Sequence, residues 1–135
     1  MNKINTFKKY FQKSTNESKK KFPDVRKMDI DGFLVYLGRD AKSNDYLTFN
    51  MANDEDIWMH VKGVPGSHLV IKVNDNLPTE STIKKVAELA KKNSKAKDKN
   101  QATVVYCQRK FVKKDPGMND GQVKVDYINA NDINI

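Results

Sequence analysis

The sequence predicts a single α+β domain, a largely antiparallel β-sheet with one long and one short helix packed on it. Three observations carry this. Two apolar–polar alternations flank a Pro-Gly turn between Ile57 and Val73. A helical pattern follows Thr79. Unbroken apolar runs stand at Phe33–Leu37 and in "TVVYC". Period two marks a half-buried strand, period 3.6 a helix, and an unbroken apolar run a strand covered on both faces. A length of 135 residues suits one domain and hardly two.

Residues 1–28 read as a basic, flexible lead, with residues 12–28 as a polar, lysine-rich linker and the domain occupying 29–135. Ile4, Phe7, Tyr10 and Phe11 could share a helical face. The lead holds no continuous apolar core, so it is not expected to act as a secretory signal. No apolar run approaches the roughly 18 residues of a membrane span. Asp31-Gly32 is a turn, and Phe33–Leu37 a central strand ended by Gly38. Ser43 or Asn44 is expected to cap a short helix through about Met51, with Asp45 in its first turn. "NDED" breaks the chain again.

Ile57, Met59 and Val61 alternate with Trp58, His60 and Lys62, and Leu69, Ile71 and Val73 alternate with His68, Val70 and Lys72. "GVPGS" between them is turn chemistry. If the two strands pair, the apolar sets must share a face, because a slip of one residue would turn one set over. Trp58, His60, Lys62, His68 and Lys72 then project together from the other face. Thr79 caps the long helix and Glu80 lies in its first turn. Ile83, Val86, Ala87 and Ala90 form its buried stripe, and Lys84, Lys91, Lys92 and Lys95 fall mostly opposite. "NSKAKDKNQ" reads as a loop, "ATVVYCQ" as a strand, "RKFVKKDPGMNDGQ" as a basic loop, and "VKVDYI" and "INI" as short terminal strands. Cys107 reads as a buried free thiol of a reducing compartment.

The net charge of +8 is unevenly spread. Residues 1–28 carry nine basic and two acidic side chains, and residues 84–114 carry eleven and two. Residues 29–83 carry four and nine, and 115–135 one and four. Two separate basic blocks suit a polyanionic partner such as RNA, DNA or an anionic membrane surface.

Catalysis finds little support. Ser67 and His68 are neighbours in a strand and point to opposite faces, so they do not make a nucleophile–base pair. There is no G-x-S-x-G elbow and no Walker-type phosphate loop. Two histidines and one cysteine fall short of a zinc set, so neither metal nor cofactor is expected. An exposed Trp58 would offer a stacking platform for unpaired bases, with lysines and arginines on phosphates. A covered Trp58 would be core.

The motifs G-R-D-A-x-x-N-D (Gly38–Asp45), D-I-W-x-H (Asp56–His60) and P-G-S-H (Pro65–His68), followed by "VVYCQRKFVKKDPG", stand in an order that resembles the NFACT-R domain over about residues 29–127. That family is an RNA-binding module at the C-terminus of ribosome quality-control proteins, which act on the large ribosomal subunit carrying a stalled peptidyl-tRNA. The resemblance implies a non-catalytic, cytoplasmic module binding ribosomal RNA or tRNA, with the large subunit as a further partner. It implies nucleic-acid contact by Arg39, Lys42, Trp58, His60, Lys62, His68, Lys110, Lys113 and Lys114. It implies structural roles for Gly38, Asp40, Asn44, Asp45, Asp56, Pro65, Gly66 and Ser67, with Gly66 supplying backbone freedom. The family's N-terminal domain, helix-hairpin-helix segment and coiled coil are absent here, so its non-templated tailing of nascent chains is not carried over. The initiating methionine and lysine-rich lead favour a stand-alone protein. The rival expectations are a docking domain for ribosomal or quality-control proteins and, from another class, a small nuclease or phosphodiesterase using the histidines.

Overall fold

The computed structural model describes residues 23–135. The first strand, β1 (Val25–Ile30), pairs with β2 (Phe33–Gly38) through the Asp31-Gly32 turn. Both turn residues have positive φ, 55° and 88°. That is the twist a two-residue hairpin requires, and the reason an Asp-Gly pair stands there. Residues 25–28 are therefore strand rather than linker, and belong to the fold with Asp29. The expected helical face of Ile4–Phe11 lies outside the described residues.

After Gly38 the chain turns into a short helix, α1 (Ala41–Tyr46), which relaxes into a π-helical turn, Leu47–Met51. The cap is Asp40, not Ser43 or Asn44. Its Oδ1 accepts the Ser43 N–H at 2.8 Å, and the Ser43 hydroxyl accepts the Asp40 N–H at 2.9 Å. A serine three residues into a helix can close such a box from inside, so a run of capping-type residues does not by itself identify the cap.

The strands β3 (Ile57–Val61), β4 (Leu69–Ile71), β5 (Thr103–Gln108) and β8 (Asn131–Asn134) complete a six-stranded sheet of order β1-β2-β4-β3-β5-β8. All of its pairings are antiparallel. The second helix, α2 (Glu80–Lys92), is capped by Thr79, whose side chain accepts the Thr82 N–H. Val86, Ala87 and Ala90 are buried against Val35, Leu37, Met59, Val61, Leu69, Ile71 and Val104 on one sheet face.

The other face carries a second core of Leu47, Trp58, Val70, Val105, Cys107 and Val112. It lies under the π-turn and under a ribbon formed by β6 (Val112–Lys113) and β7 (Lys124–Val125). The two helical segments thus cover opposite faces of one sheet. The stretch expected as a basic loop is instead a 3₁₀ turn, Arg109–Phe111, leading into this ribbon. The expected terminal strand over "VKVDYI" shrinks to Lys124–Val125 and is followed by a 3₁₀ turn, Tyr127–Asn129.

Candidate nucleic-acid interface

The hairpin register decides where the motif side chains go. Trp58 stands opposite Val70 and Met59 opposite Leu69. Continued by two residues, that register brings His60 and His68 to the Trp58 face, as the alternation predicts. Their ring centroids lie 5.2 Å apart, and Trp58 is 6.0 Å from His60 and 5.2 Å from His68.

This cluster is mostly interior. Trp58 is only 1% exposed. A base cannot stack on a ring with no open face, so the stacking platform expected at Trp58 is not there. Its indole N–H donates to His68 Nδ1 at 3.3 Å, and the Thr48 hydroxyl meets the same nitrogen at 2.9 Å. His68 Nδ1 is thus the acceptor of a neutral ring, and the other ring nitrogen is left for the Gly121 backbone. Burial pushes the His68 pKa down to about 3. His60 is half-buried and bonded to the Gly66 backbone, and burial lowers its pKa as well.

Close packing explains the glycines of the two flanking motifs. A side chain at Gly38 would overlap Asn44. Asn44 Oδ1 in turn accepts the His68 N–H at 3.0 Å, and the Gly38 N–H donates to the His68 carbonyl at 3.0 Å. A Cβ on Gly66 would sit 2.7 Å from Ser94 Cβ. Gly66 is therefore required by proximity, not by an unusual φ; the positive φ in this loop belongs to Gly63. The Ser67 N–H donates to the Asn93 carbonyl at 3.0 Å, and the Lys95 N–H to the Pro65 carbonyl at 2.9 Å. The P-G-S-H loop is thereby stitched to the chain leaving α2. Asp56, buried, accepts from Lys72 Nζ at 2.6 Å and from the Val73 and Asn53 N–H groups. Its place in the motif is to close the turn that launches β3, and Lys72 is bound inward with it.

The cations divide into two sets. Lys110 pairs with Glu55 at 3.2 Å, and Arg109 with Asp54. Lys114 pairs with Asp45 at 2.7 Å and also donates to the Asn119 and Gln122 carbonyls. With the Gly121 N–H bonding Asp45 at 3.2 Å, Lys114 fastens the ribbon to α1. Of the basic-loop lysines, Lys113 alone is exposed without an ion-pair partner among the described residues; it stands on the ribbon.

The other set surrounds a groove of about 950 Å³ lined by Arg39, His60, Pro65–His68 and the segment after α2. Lys92, Lys95 and Lys97 line it, exposed and without ion-pair partners among the described residues. Arg39 is held loosely, 3.5 Å from Asp24. Asp40, Asp98 and Asp120 also reach the groove, and Asp40 is engaged in capping α1. Lys42 is exposed on α1, outside the groove lining. Lys62 pairs with Asp132 at 3.2 Å and stands 5.0 Å from the Tyr127 ring centroid, at a neighbouring hollow.

Of the residues expected at the site, Arg39, His60, His68 and the P-G-S-H loop come together at the groove, and Lys62 stands at the neighbouring hollow. Lys92, Lys95 and Lys97, which also line the groove, were not among those expected. Their signal was present as the second basic block, but the loop "RKFVKK" drew the assignment. Among the described residues no cluster of His, Cys, Asp and Glu could hold a metal ion, and no helix is long and apolar enough to cross a membrane.

Comparison with known proteins places the chain among relatives. A family model described as the NFACT protein RNA binding domain matches residues 21–126. The Rqc2 homolog RqcH of Bacillus subtilis is 40% identical over 95 residues, which is 70% of this chain and 16% of that protein. Coiled-coil domain-containing protein 25 of Bos taurus is 31% identical over 101 residues, 71% of this chain and 48% of that one. Among solved structures, the C-terminal part of the fibronectin/fibrinogen-binding protein from Streptococcus suis superposes with a TM-score of 0.74 at 32% identity. It covers 84% of this chain and 45% of that one. The chain spans less than half the length of these relatives.

Proposed function

The chain belongs to the NFACT protein RNA binding domain family, and on that premise we propose that it is a non-catalytic module binding ribosomal RNA or tRNA in ribosome-associated quality control. The groove beside the P-G-S-H loop is its RNA-contacting face. One observation carries this reading. Two family motifs, at Gly38–Asp45 and Pro65–His68, converge on a groove whose other wall supplies three lysines with no acidic partner among the described residues. Free, solvated ammonium groups around a concavity are suited to phosphates, whereas paired lysines such as Lys114 are already spent on the fold.

The histidines favour binding over catalysis. Both nitrogens of His68 are engaged by the protein, and a ring with a pKa of about 3 is a poor base at neutral pH.

Crosslinking in cells, with sequencing of the attached RNA and mapping of the attached peptides, tests the proposal. Enrichment of ribosomal or transfer RNA on peptides spanning Pro65–His68 or Lys92–Lys97 is expected. Crosslinks confined to messenger RNA, or to peptides remote from the groove, would overturn it. A second reading, docking on a ribosomal or quality-control protein, draws on Ile128, which is 94% exposed beside Tyr127. Partner binding that ignores salt but is lost on Ile128→Asp would select it.

A further inference from the structure

Beside the basic groove, between the main sheet and the β6–β7 ribbon, lies a hollow of about 520 Å³. Apolar and aromatic side chains, Val105, Met118, Val123, Val125 and Tyr127 among them, share its lining with the polar His60, Lys62 and Gln122. Groove and hollow share His60, Pro65, His68, Gly121 and Gln122, so they form one continuous concavity, with Lys92, Lys95 and Lys97 in one part and the aromatic Tyr127 in the other. We infer that the hollow receives one unpaired base of the bound RNA while the adjoining phosphates lie in the groove. The inference rests on the RNA-binding reading of the groove and adds what the site selects: a bulge, loop or strand end, not a continuous duplex.

The chemistry of the hollow supports this occupant. Its volume falls in the roughly 300–1,000 Å³ range of sites that enclose small molecules. Bases of an A-form duplex are held paired and stacked inside the helix, so they cannot enter a side hollow; unpaired ones can be splayed out. Tyr127, 55% exposed, takes the role that the buried Trp58 cannot, presenting an aromatic surface at the hollow. Lys62, held by Asp132, stands 5.0 Å from that ring centroid at the same rim. Gln122 Oε1 accepts the Asn119 N–H at 2.9 Å, and its amide nitrogen has no protein partner among the described residues. That leaves a donor available to a base edge.

The full chain is titrated with three RNA hairpins: a perfect stem, the same stem with a one-nucleotide bulge, and that bulge made abasic. The bulged hairpin should bind more tightly than the perfect stem by roughly tenfold, the scale of one stacked base, and the abasic bulge should lose most of the gain. Tyr127→Ala, checked for an unchanged melting temperature, should remove the same preference and leave stem binding as it was. Met118→Trp, which fills the hollow, should do likewise. Equal affinity for the three hairpins, with binding still dependent on Lys92, Lys95 and Lys97, would overturn the base site and leave the groove reading standing. No affinity for any of the three would overturn both.

Discussion

At His68 a buried polar ring is kept neutral by its surroundings, and this has a measurable consequence. Its folded pKa, about 3, lies below the ordinary histidine value of 6.5. The unfolded chain therefore binds a proton that the folded chain refuses. The stabilisation is fully present above about 6.5 and is lost as pH falls toward 3. His60 is shifted in the same direction. Asp31 and Asp40 are lowered from 3.8 by their hydrogen bonds, so they lose stability only at lower pH, outside a comparison of pH 7 with pH 5. In His68→Asn the side-chain oxygen can still accept from Trp58 and Thr48, but nothing titrates. The variant should be less stable than the parent at pH 7 and should lose less stability between pH 7 and pH 5, measured by denaturant melts at both values. An equal loss in the two proteins would show that His68 is solvated and titrates normally. Cys107 on β5, opposite Trp58 on β3, is held protonated in the same core, with burial raising its pKa to about 11.

Among the elements, those with a strong period were legible and those held by tertiary contacts were not. The stripe Ile83–Ala90 and the alternations around "GVPGS" announce α2, β3 and β4, because burial on one face imposes the period. The segments Val112–Lys113 and Lys124–Val125 are two residues each, too short for any period, and form because Val112 and Val125 join the Trp58 core. Edge strand β1 was also hidden. Its charged residues Arg26, Lys27 and Asp29 are exposed, as an edge strand allows, and the first two read as linker. The boundary can be tested directly. A chain beginning at residue 29 loses Val25–Met28, most of β1, and with it Met28 from the α2-side core and Val25 from the other. It should melt well below a chain beginning at residue 23, by an amount expected from two half-buried apolar side chains, on the order of 1–3 kcal/mol. Equal melting temperatures would place the start of the fold at Asp29 after all.

For the molecule as a whole, charge and shape have to be read together. Net charge identifies a polyanion as a plausible class of partner, but only the fold shows which cations are free to meet it. Lys110 and Lys114 lie in the same basic block as Lys92, Lys95 and Lys97, yet the first two are paired with Glu55 and Asp45. The last three line the groove, because the Pro65–Ser67 loop is hydrogen-bonded to Asn93 and Lys95. No periodicity or spacing encodes that stitching, which is why the site was only half legible. The salt dependence of RNA affinity tests the central claim most directly. With Lys92, Lys95 and Lys97 all replaced by Ala, the slope of log affinity against log salt should fall by about 2 for single-stranded RNA, since each lost phosphate contact releases less counterion. Lys113→Ala should leave it unchanged. A slope untouched by the triple change but reduced by Lys113→Ala would contradict the account, moving RNA from the groove to the ribbon.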